Sequence, residues 1–205
     1  MARSEANLAP VELEIRSLGR RAHSILADAG DEASIASALE RAKAELGAPE
    51  VFVYNAGAFQ RGSIADTSTE EFERCLRVNC TGAFLAAKHV LPDMLERGSG
   101  TILLTGATAS LRGSANFACL AVGKFGLRAL AQSMARELGP RGIHVAHVII
   151  DGQIDTPNLR ALAPERGIET LLSPDAIAET YWQLHVQAPT CWAFELDLRP
   201  CTERF

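Results

Sequence analysis

A strand, a loop and a helix follow one another between Thr101 and Leu130, and this stretch constrains the fold more than any other. The apolar run 102–104 predicts a buried strand, and the loop 105–113 is rich in Gly, Ser and Thr. In the helix that follows, apolar residues recur every three or four positions and share one face, on which Lys124 also lies. A buried ammonium is costly without a partner, and ligands bind beyond the carboxyl ends of parallel strands, so Lys124 is a candidate ligand-binding residue.

Length, composition and charge exclude several classes of protein. The chain has 205 residues, which allows one α/β domain with a sizeable core over residues 1–205. Its formal net charge of −5 argues against nucleic-acid partners and against an anionic membrane surface. No apolar run could span a membrane, the N-terminus lacks the apolar core of a signal peptide, and the five scattered cysteines fit free thiols in a reducing compartment. We therefore expect a cytoplasmic protein.

The predicted elements alternate between strands and helices. We expect a helix over 7–18, a strand over 22–27, a helix after Asp31, a strand over 51–54, a long helix from Ser68 to Arg97, the central strand and helix up to Gly139, a strand over 143–150, a helix after Ser173 and a strand over 192–199. Pro92 is expected to kink the long helix or to split off its last turn. The polar loop 151–167 is long enough to form a substrate lid. This order predicts an α/β fold with a doubly wound parallel sheet.

Four short motifs lie in these elements. They are Asn55-Ala56-Gly57 after a strand, Val78-Asn79 in the long helix, Lys124 in the next helix, and Asp151-Gly152 with Thr156 after a later strand. In this order and at these spacings, the chain resembles the short-chain dehydrogenase/reductase family over nearly its whole length. Asp151 departs from the resemblance, because the family usually has proline at that position.

The resemblance implies a Rossmann-like fold and a homo-oligomer. It also implies an oxidoreductase that transfers hydride between NADP or NAD and a carbonyl or hydroxyl group of a small-molecule substrate. Asn79 and Lys124 would be catalytic. The implied cofactor-binding residues are Asp28, Asn55, Ala56, Gly57, Lys124 and Thr156.

The glycine-rich turn of a dinucleotide-binding fold is not found before residue 60. By the resemblance, residues 2–4 match the end of the family's second strand. The first strand, the glycine-rich turn and the first helix are therefore expected to be lacking, through a truncated product or a misassigned start. Two lost strands would open a gap of about 14 Å at ~4.8 Å per strand. The 22–27 strand is expected either to close up against 51–54 or to hang at the sheet edge, weakly paired.

At two of the four catalytic positions implied by the resemblance, the family has a hydroxyl side chain and this chain has none. The family's tyrosine, four residues before Lys124, is Leu120, and the alternative tyrosine of some enoyl reductases is Phe117. The family's serine is Ala107. The candidates to replace this serine in part are Thr105, Thr108 and Ser110. Because general acid–base assistance contributes about 10² to 10⁴ in rate, we expect weakened or atypical activity.

Each candidate residue also has a structural interpretation. Lys124 could snorkel from an apolar stripe, and Asn79 could be a structural core amide. The segment 55–57 could be only a turn, Asp28 a solvated loop acid and Thr156 the cap of a turn.

Metal and hydrolase chemistry have little support in the sequence. His144 and His147 are three apart in a strand, so they point to opposite faces and make a poor metal pair. No histidine and acid are recognisable as triad partners of Ser110 or Ser114. We therefore predict neither a metal site nor a Ser-His-acid triad.

Two hypotheses from different classes remain. The first is an NAD(P)-dependent oxidoreductase with a weakened site. The second is a non-catalytic relative, a pseudoenzyme that acts through oligomerisation. It draws support from the missing Ser and Tyr and from a predicted apolar face on the last strand, where the family commonly has a subunit interface. That face consists of Trp192, Phe194, Leu196 and Leu198.

Overall fold

The computed structural model describes residues 1–203, which contain a four-stranded parallel sheet with helices on both faces. The strands are β1 (Val51–Tyr54), β2 (Gly100–Thr105), β3 (Ile143–Ile150) and β4 (Glu195–Leu198). The helices are α1 (Glu5–Ser17), α2 (Glu32–Leu46), α3 (Thr69–Leu76), α4 (Gly82–Arg97), α5 (Ala118–Leu138), α6 (Pro157–Leu162) and α7 (Pro174–His185). The strands lie in chain order, β1-β2-β3-β4, and all pairs are parallel. The predicted Rossmann-like α/β fold with a parallel sheet is confirmed.

Consecutive residues of each strand point to opposite faces of the sheet, and each face has its own hydrophobic core. On one face, α2, α4 and α5 pack around Ile102 and Leu104 of β2. On the other face, α7 packs around Leu103 and around Val148 of β3. All eight residues of β3 are buried, as expected for a strand that is covered on both faces.

The predicted helix starts are confirmed by their cap hydrogen bonds. The Ser68 hydroxyl accepts from the Glu71 amide and the Glu71 carboxylate accepts from the Ser68 amide, which completes the capping box. The Asp31 and Ser173 side chains cap α2 and α7 by accepting from the Ser34 and Ala176 amides. No helix within residues 1–203 is both long enough and apolar enough to cross a membrane.

The predicted strand over 22–27 is wrong. Only Leu26 is bridged, and its partner is Ala2 rather than β1. Two backbone hydrogen bonds hold this contact, from Ala27 N to Ala2 O and from Ala2 N to Ile25 O. The segment forms this one bridge and does not pair with β1, so it does not form a continuous ladder. The segment is weakly paired, as one of the two predicted outcomes has it, but its partner is Ala2 and it does not join the edge of the sheet.

Pro92 does not split off the last turn of the long helix, because α4 continues through Pro92 to Arg97. The helix instead changes its hydrogen-bonding pattern earlier, in a π-helical turn at Arg77–Thr81 that contains Asn79. Such turns insert a residue into a helix and are frequent at functional sites. The interruption therefore lies at the candidate asparagine and not at the proline.

Two predictions near the end of the chain need correction. The loop 151–167 is not wholly irregular, since it contains α6. The apolar residues of the last segment do not share one face. Phe194 packs into the core on the α5 side of the sheet, whereas Leu196 and Leu198 pack into the core on the α7 side. The alternation does not continue along 192–199, because regular pairing begins only at Glu195.

Candidate active site

Lys124 is buried at the carboxyl end of β2. The α5 helix lies against the sheet, and only 5% of the Lys124 surface remains exposed. Its ammonium donates to the backbone oxygen of Thr105 at 2.7 Å. Burial lowers the pKa of Lys124 from its ordinary 10.5 to about 8, because the charged form loses its hydration. The side chain therefore does not snorkel to solvent, and its proton is held less firmly than in a surface lysine.

Asn79 is fully buried, and its side-chain amide forms hydrogen bonds with the backbone of a single residue, Ala58. Its Nδ2 donates to Ala58 O at 2.8 Å, and its Oδ1 accepts from Ala58 N at 3.2 Å. Two hydrogen bonds to buried backbone groups fix the chain that follows β1. This contact is what the structural interpretation of Asn79 requires.

Gly123 brings α5 against the π-helical turn. A Cβ at position 123 would lie 2.7 Å from Asn79 Cβ and 3.2 Å from Cys75 O, so only glycine fits without a shift. Gly123 thus brings the helix that carries Lys124 against Asn79. The two side chains have different hydrogen-bond partners, Thr105 O for Lys124 and the Ala58 backbone for Asn79.

A cleft of about 1160 Å³ runs along the free side of β1. Four of the predicted cofactor-binding residues line it: Asp28, Asn55, Ala56 and Gly57. Much of its wall is apolar, with Ile35, Leu39 and Phe52 among the lining residues. Lys124 and Thr156 are not among the residues that line this cleft.

Thr156 and Asp28 both make local hydrogen bonds. Thr156 is exposed and caps α6, because its hydroxyl accepts from the Leu159 amide at 3.2 Å. The Asp28 carboxylate accepts from the Gly30 amide at 2.8 Å. Thr156 therefore has the capping contact that its structural interpretation requires, whereas Asp28 combines a turn contact with a position on the cleft.

Three hydroxyl groups, at the end of β2 and on the loop after it, lie close in the chain to Ala107, the position of the family's serine. Thr105 Oγ1 and Tyr181 OH are 2.7 Å apart. Ser110 is fully buried and accepts from the Ala107 amide at 3.2 Å. Thr108 donates to the Asp151 carboxylate. Each of the three hydroxyls thus has a different partner.

The prediction that Ser110 lacks a histidine and an acid is wrong. Ser110 Oγ is 3.4 Å from His147 Nε2, and His147 Nδ1 is 3.0 Å from Glu195 Oε2. Arg128 binds both oxygens of Glu195, at 2.7 and 2.8 Å. Ser110 and His147 each have 0% exposure, so no substrate reaches the serine in this conformation. The contacts describe a buried polar network rather than an accessible nucleophile.

The pKa values of His147 and Glu195 are both lowered, for different reasons. Burial lowers the pKa of His147, which favours the neutral imidazole. The Arg128 guanidinium holds the pKa of Glu195 below its usual range and keeps the carboxylate ionised. Arg128 and Glu195 therefore remain a charged pair while His147 sits beside them uncharged.

The sheet register explains why this network could not be recognised in the sequence. His147 pairs with Leu104 on one side and with Glu195 on the other, although the three residues are far apart in the chain. The one available signal was the alternation in β3, which correctly sends His144 and His147 to opposite faces. His144 stacks on Trp192, with ring centroids 4.9 Å apart. Within residues 1–203, no three His, Cys, Asp or Glu side chains group closely enough to hold a metal ion.

Comparison with known proteins identifies the family. The family model of the short chain dehydrogenases matches residues 1–167. A short-chain dehydrogenase/reductase of Armillaria gallica is 35% identical over 155 residues, which are 75% of this chain and 59% of that protein. The chain spans about three fifths of the length of the curated relatives it matches.

Solved structures agree with this result. A short-chain dehydrogenase from Rhodopseudomonas palustris superimposes with a TM-score of 0.82 at 39% identity, over 97% of this chain and 84% of that one. A metagenomic short-chain oxidoreductase in complex with NADP gives a TM-score of 0.82 at 28% identity, over 97% and 83% of the two chains. Since the family model covers most of the sequence and the fold agrees, this protein is a member of the short-chain dehydrogenase/reductase family.

Proposed function

We propose that this protein is an NAD(P)-dependent oxidoreductase that interconverts a carbonyl and a hydroxyl group of a small molecule. The observation that carries the proposal is the buried Lys124 ammonium at the carboxyl end of β2. An ammonium has three N–H donors, and Thr105 O uses one of them. The two others suit the neighbouring hydroxyl groups of a ribose. A partner of this kind also offsets the cost of burying the charge.

The residues after β1 support a nicotinamide dinucleotide. Asn55, Ala56 and Gly57 line the cleft at the carboxyl end of β1, and Asp28 lies on the same cleft. Its volume, about 1160 Å³, exceeds that of most drug-sized ligand sites, which are about 300–1,000 Å³. When bound, the nicotinamide would supply or accept a hydride. The relative solved with NADP belongs to the same family, which favours this cofactor class.

In this proposal the chain's own groups bind and orient. Lys124 holds ribose hydroxyls, and its hydrogen bond to Thr105 O fixes the ammonium. Asn79 keeps the segment after β1 in position through Ala58. The low exposure of Lys124 excludes water and strengthens its electrostatic contacts.

Cofactor titration tests the proposal directly. NADPH and NADH are titrated separately into the protein while nicotinamide fluorescence is recorded, and a panel of ketones, aldehydes and secondary alcohols is then assayed for turnover. Saturable binding of either cofactor below ~1 mM, with turnover of a panel member, is the expected result. The absence of binding up to that concentration would refute the proposal.

A non-catalytic function is the second candidate. It is favoured by Ala107, Leu120 and Phe117, which put no hydroxyl at the positions of the family's Ser and Tyr. In this alternative the protein acts through a homo-oligomer, and the five free thiols suit a cytoplasmic setting in either case. Light scattering that shows only monomer, together with turnover of a carbonyl substrate, would rule it out.

A further inference from the structure

The three hydroxyls at the end of β2 and on the loop after it differ in exposure and in hydrogen-bond partner. The Thr105 hydroxyl faces Tyr181, on the α7 side of the sheet. The Ser110 hydroxyl is completely buried between the Ala107 amide and His147. Thr108 alone among the three combines partial exposure with a carboxylate partner. It is therefore the hydroxyl that can meet a substrate and pass on a proton.

Asp151 is the hydrogen-bond partner of Thr108. It is the first residue after β3, and Thr108 lies just beyond the end of β2, so both lie at the carboxyl edge of neighbouring strands. Only 5% of Asp151 is exposed. Its amide donates to Leu198 O at 2.8 Å, a contact that a proline at this position could not make.

The Arg199 guanidinium forms an ion pair with the buried Asp151 carboxylate. Arg199 Nη2 is 3.3 Å from Asp151 Oδ2, while Thr108 donates to the other oxygen, Oδ1. The guanidinium and the hydroxyl donor thus give each oxygen of this buried carboxylate a partner. Asp151 Oδ1 lies at the end of the Thr108 hydrogen bond, where a proton from Thr108 would arrive.

We propose that Thr108 is the catalytic hydroxyl of this site and that Asp151 is its positioning residue and proton acceptor. The inference rests on the proposed function and is stated for alcohol oxidation. The substrate O–H bond breaks and its proton goes to Thr108 Oγ1, while the original hydroxyl proton of Thr108 goes to Asp151. The C–H bond breaks, and the hydride with its two electrons goes to the oxidised nicotinamide that the proposed function supplies. The substrate class is therefore a secondary or primary alcohol whose oxygen reaches the loop after β2.

The test compares Thr108→Val, Thr108→Ser and Asp151→Asn with the wild type. Oxidation of a panel of alcohols is measured at saturating oxidised cofactor, together with cofactor affinity and melting temperature. Thr108→Val and Asp151→Asn are expected to lower kcat by about 100-fold or more, while cofactor affinity stays within twofold. Thr108→Ser is expected to restore the rate to within threefold, because it keeps the hydroxyl.

A second measurement needs no cofactor. In the cofactor-free protein, proton NMR should show the Thr108 hydroxyl as a protected resonance. Thr108→Val should remove it and Asp151→Asn should shift it. Matched controls are Thr180→Val, a half-buried threonine on α7 whose hydroxyl donates to Ala176 O, and Asp66→Asn, an exposed acid, and both should match the wild type in every readout.

The outcomes separate the inference from the proposed function. If the wild type binds cofactor but Thr108→Val or Asp151→Asn oxidises alcohols at the wild-type rate, the inference is overturned and the proposed function stands. Cofactor binding without turnover of any alcohol overturns the inference as well. If the wild type neither binds cofactor nor oxidises an alcohol, the proposed function fails, and the inference falls with it.

Discussion

The Lys124 ammonium donates to the backbone carbonyl of Thr105 at 2.7 Å, and this contact ties the helix α5 to the carboxyl end of β2. The carbonyl belongs to the last residue of the strand, where a parallel sheet binds ligands. It satisfies one of the three donors of the ammonium and leaves the charge otherwise buried. Burial of the Lys124 ammonium therefore destabilises the fold, while its remaining N–H donors can bind a ligand. Both effects can be measured.

Stability should increase with pH between about 8 and 10.5 through Lys124. Its pKa is about 8 in the folded protein and 10.5 when unperturbed, so in this window the unfolded chain holds a proton that the folded chain has lost. Below pH 8 both states are protonated and the penalty for the buried charge is complete. The shift corresponds to about 3 kcal/mol at ~1.4 kcal/mol per pKa unit.

Urea unfolding of the wild type and of Lys124→Met at several pH values measures this effect. The difference in unfolding free energy between the two proteins isolates Lys124, because the other titrating groups are common to both. The wild type should gain on the variant as the pH rises from 7.5 to 10.5. A difference that stays constant over this range would show that the ammonium is not desolvated.

Gly123→Ala should destabilise the protein by about 1–3 kcal/mol, as expected for overpacking. The new methyl group would lie 2.7 Å from Asn79 Cβ and close to a backbone oxygen, so α5 must move away from the π-helical turn. Gly139→Ala is the matched control, because nothing lies within 4 Å of the added Cβ and the backbone there is helical. Thermal melts of the two variants should differ by several degrees, and equal melting temperatures would argue against the close approach.

Asn79→Leu should cost about 2–4 kcal/mol, since each buried group left without a partner costs about 1–3 kcal/mol. The variant removes both partners of the Ala58 backbone in a fully buried location. Asn158→Leu, at an exposed position on α6, is the control and should change stability little. Chemical denaturation with both variants decides the matter: an unchanged midpoint for Asn79→Leu would contradict the anchoring function of the amide.

Ser110 should not react with serine-directed reagents in the folded protein. Its hydroxyl is close to His147, but neither residue has exposed surface. Incubation with a fluorophosphonate, followed by mass spectrometry of the tryptic peptides, should show no adduct on Ser110 while a serine hydrolase in the same tube is labelled. An adduct on Ser110 would show that the network opens to solvent and acts as a nucleophile.

The sequence predicted the features that depend on local patterns. The stripe that carries Lys124, the helix start at Ser68 and the strand β3 all follow from the spacing of apolar residues and from short-range hydrogen bonds. Each of these signals lies within a short stretch of the sequence, so it can be recognised without knowledge of the fold. The same kind of reasoning correctly sent His144 and His147 to opposite faces.

The contacts between distant segments could not be read in this way. Pairing of His147 with Glu195 and of Thr108 with Asp151 depends on the strand register and on where each loop ends. The segment 22–27 has strand-like residues, but a strand also needs a neighbour, and here the neighbour offers a single bridge. Local preference was therefore insufficient wherever the partner lies far away in the chain.

The most direct measurement of the central claim is the affinity of NADPH for the wild type and for Lys124→Met, with Lys88→Met as an exposed-lysine control. If the buried ammonium holds the cofactor, the wild type and Lys88→Met should bind with equal affinity. Lys124→Met should bind at least about tenfold more weakly, as expected for the loss of hydrogen bonds from a charged group. Equal affinity in all three proteins, or no binding by the wild type, would contradict the account.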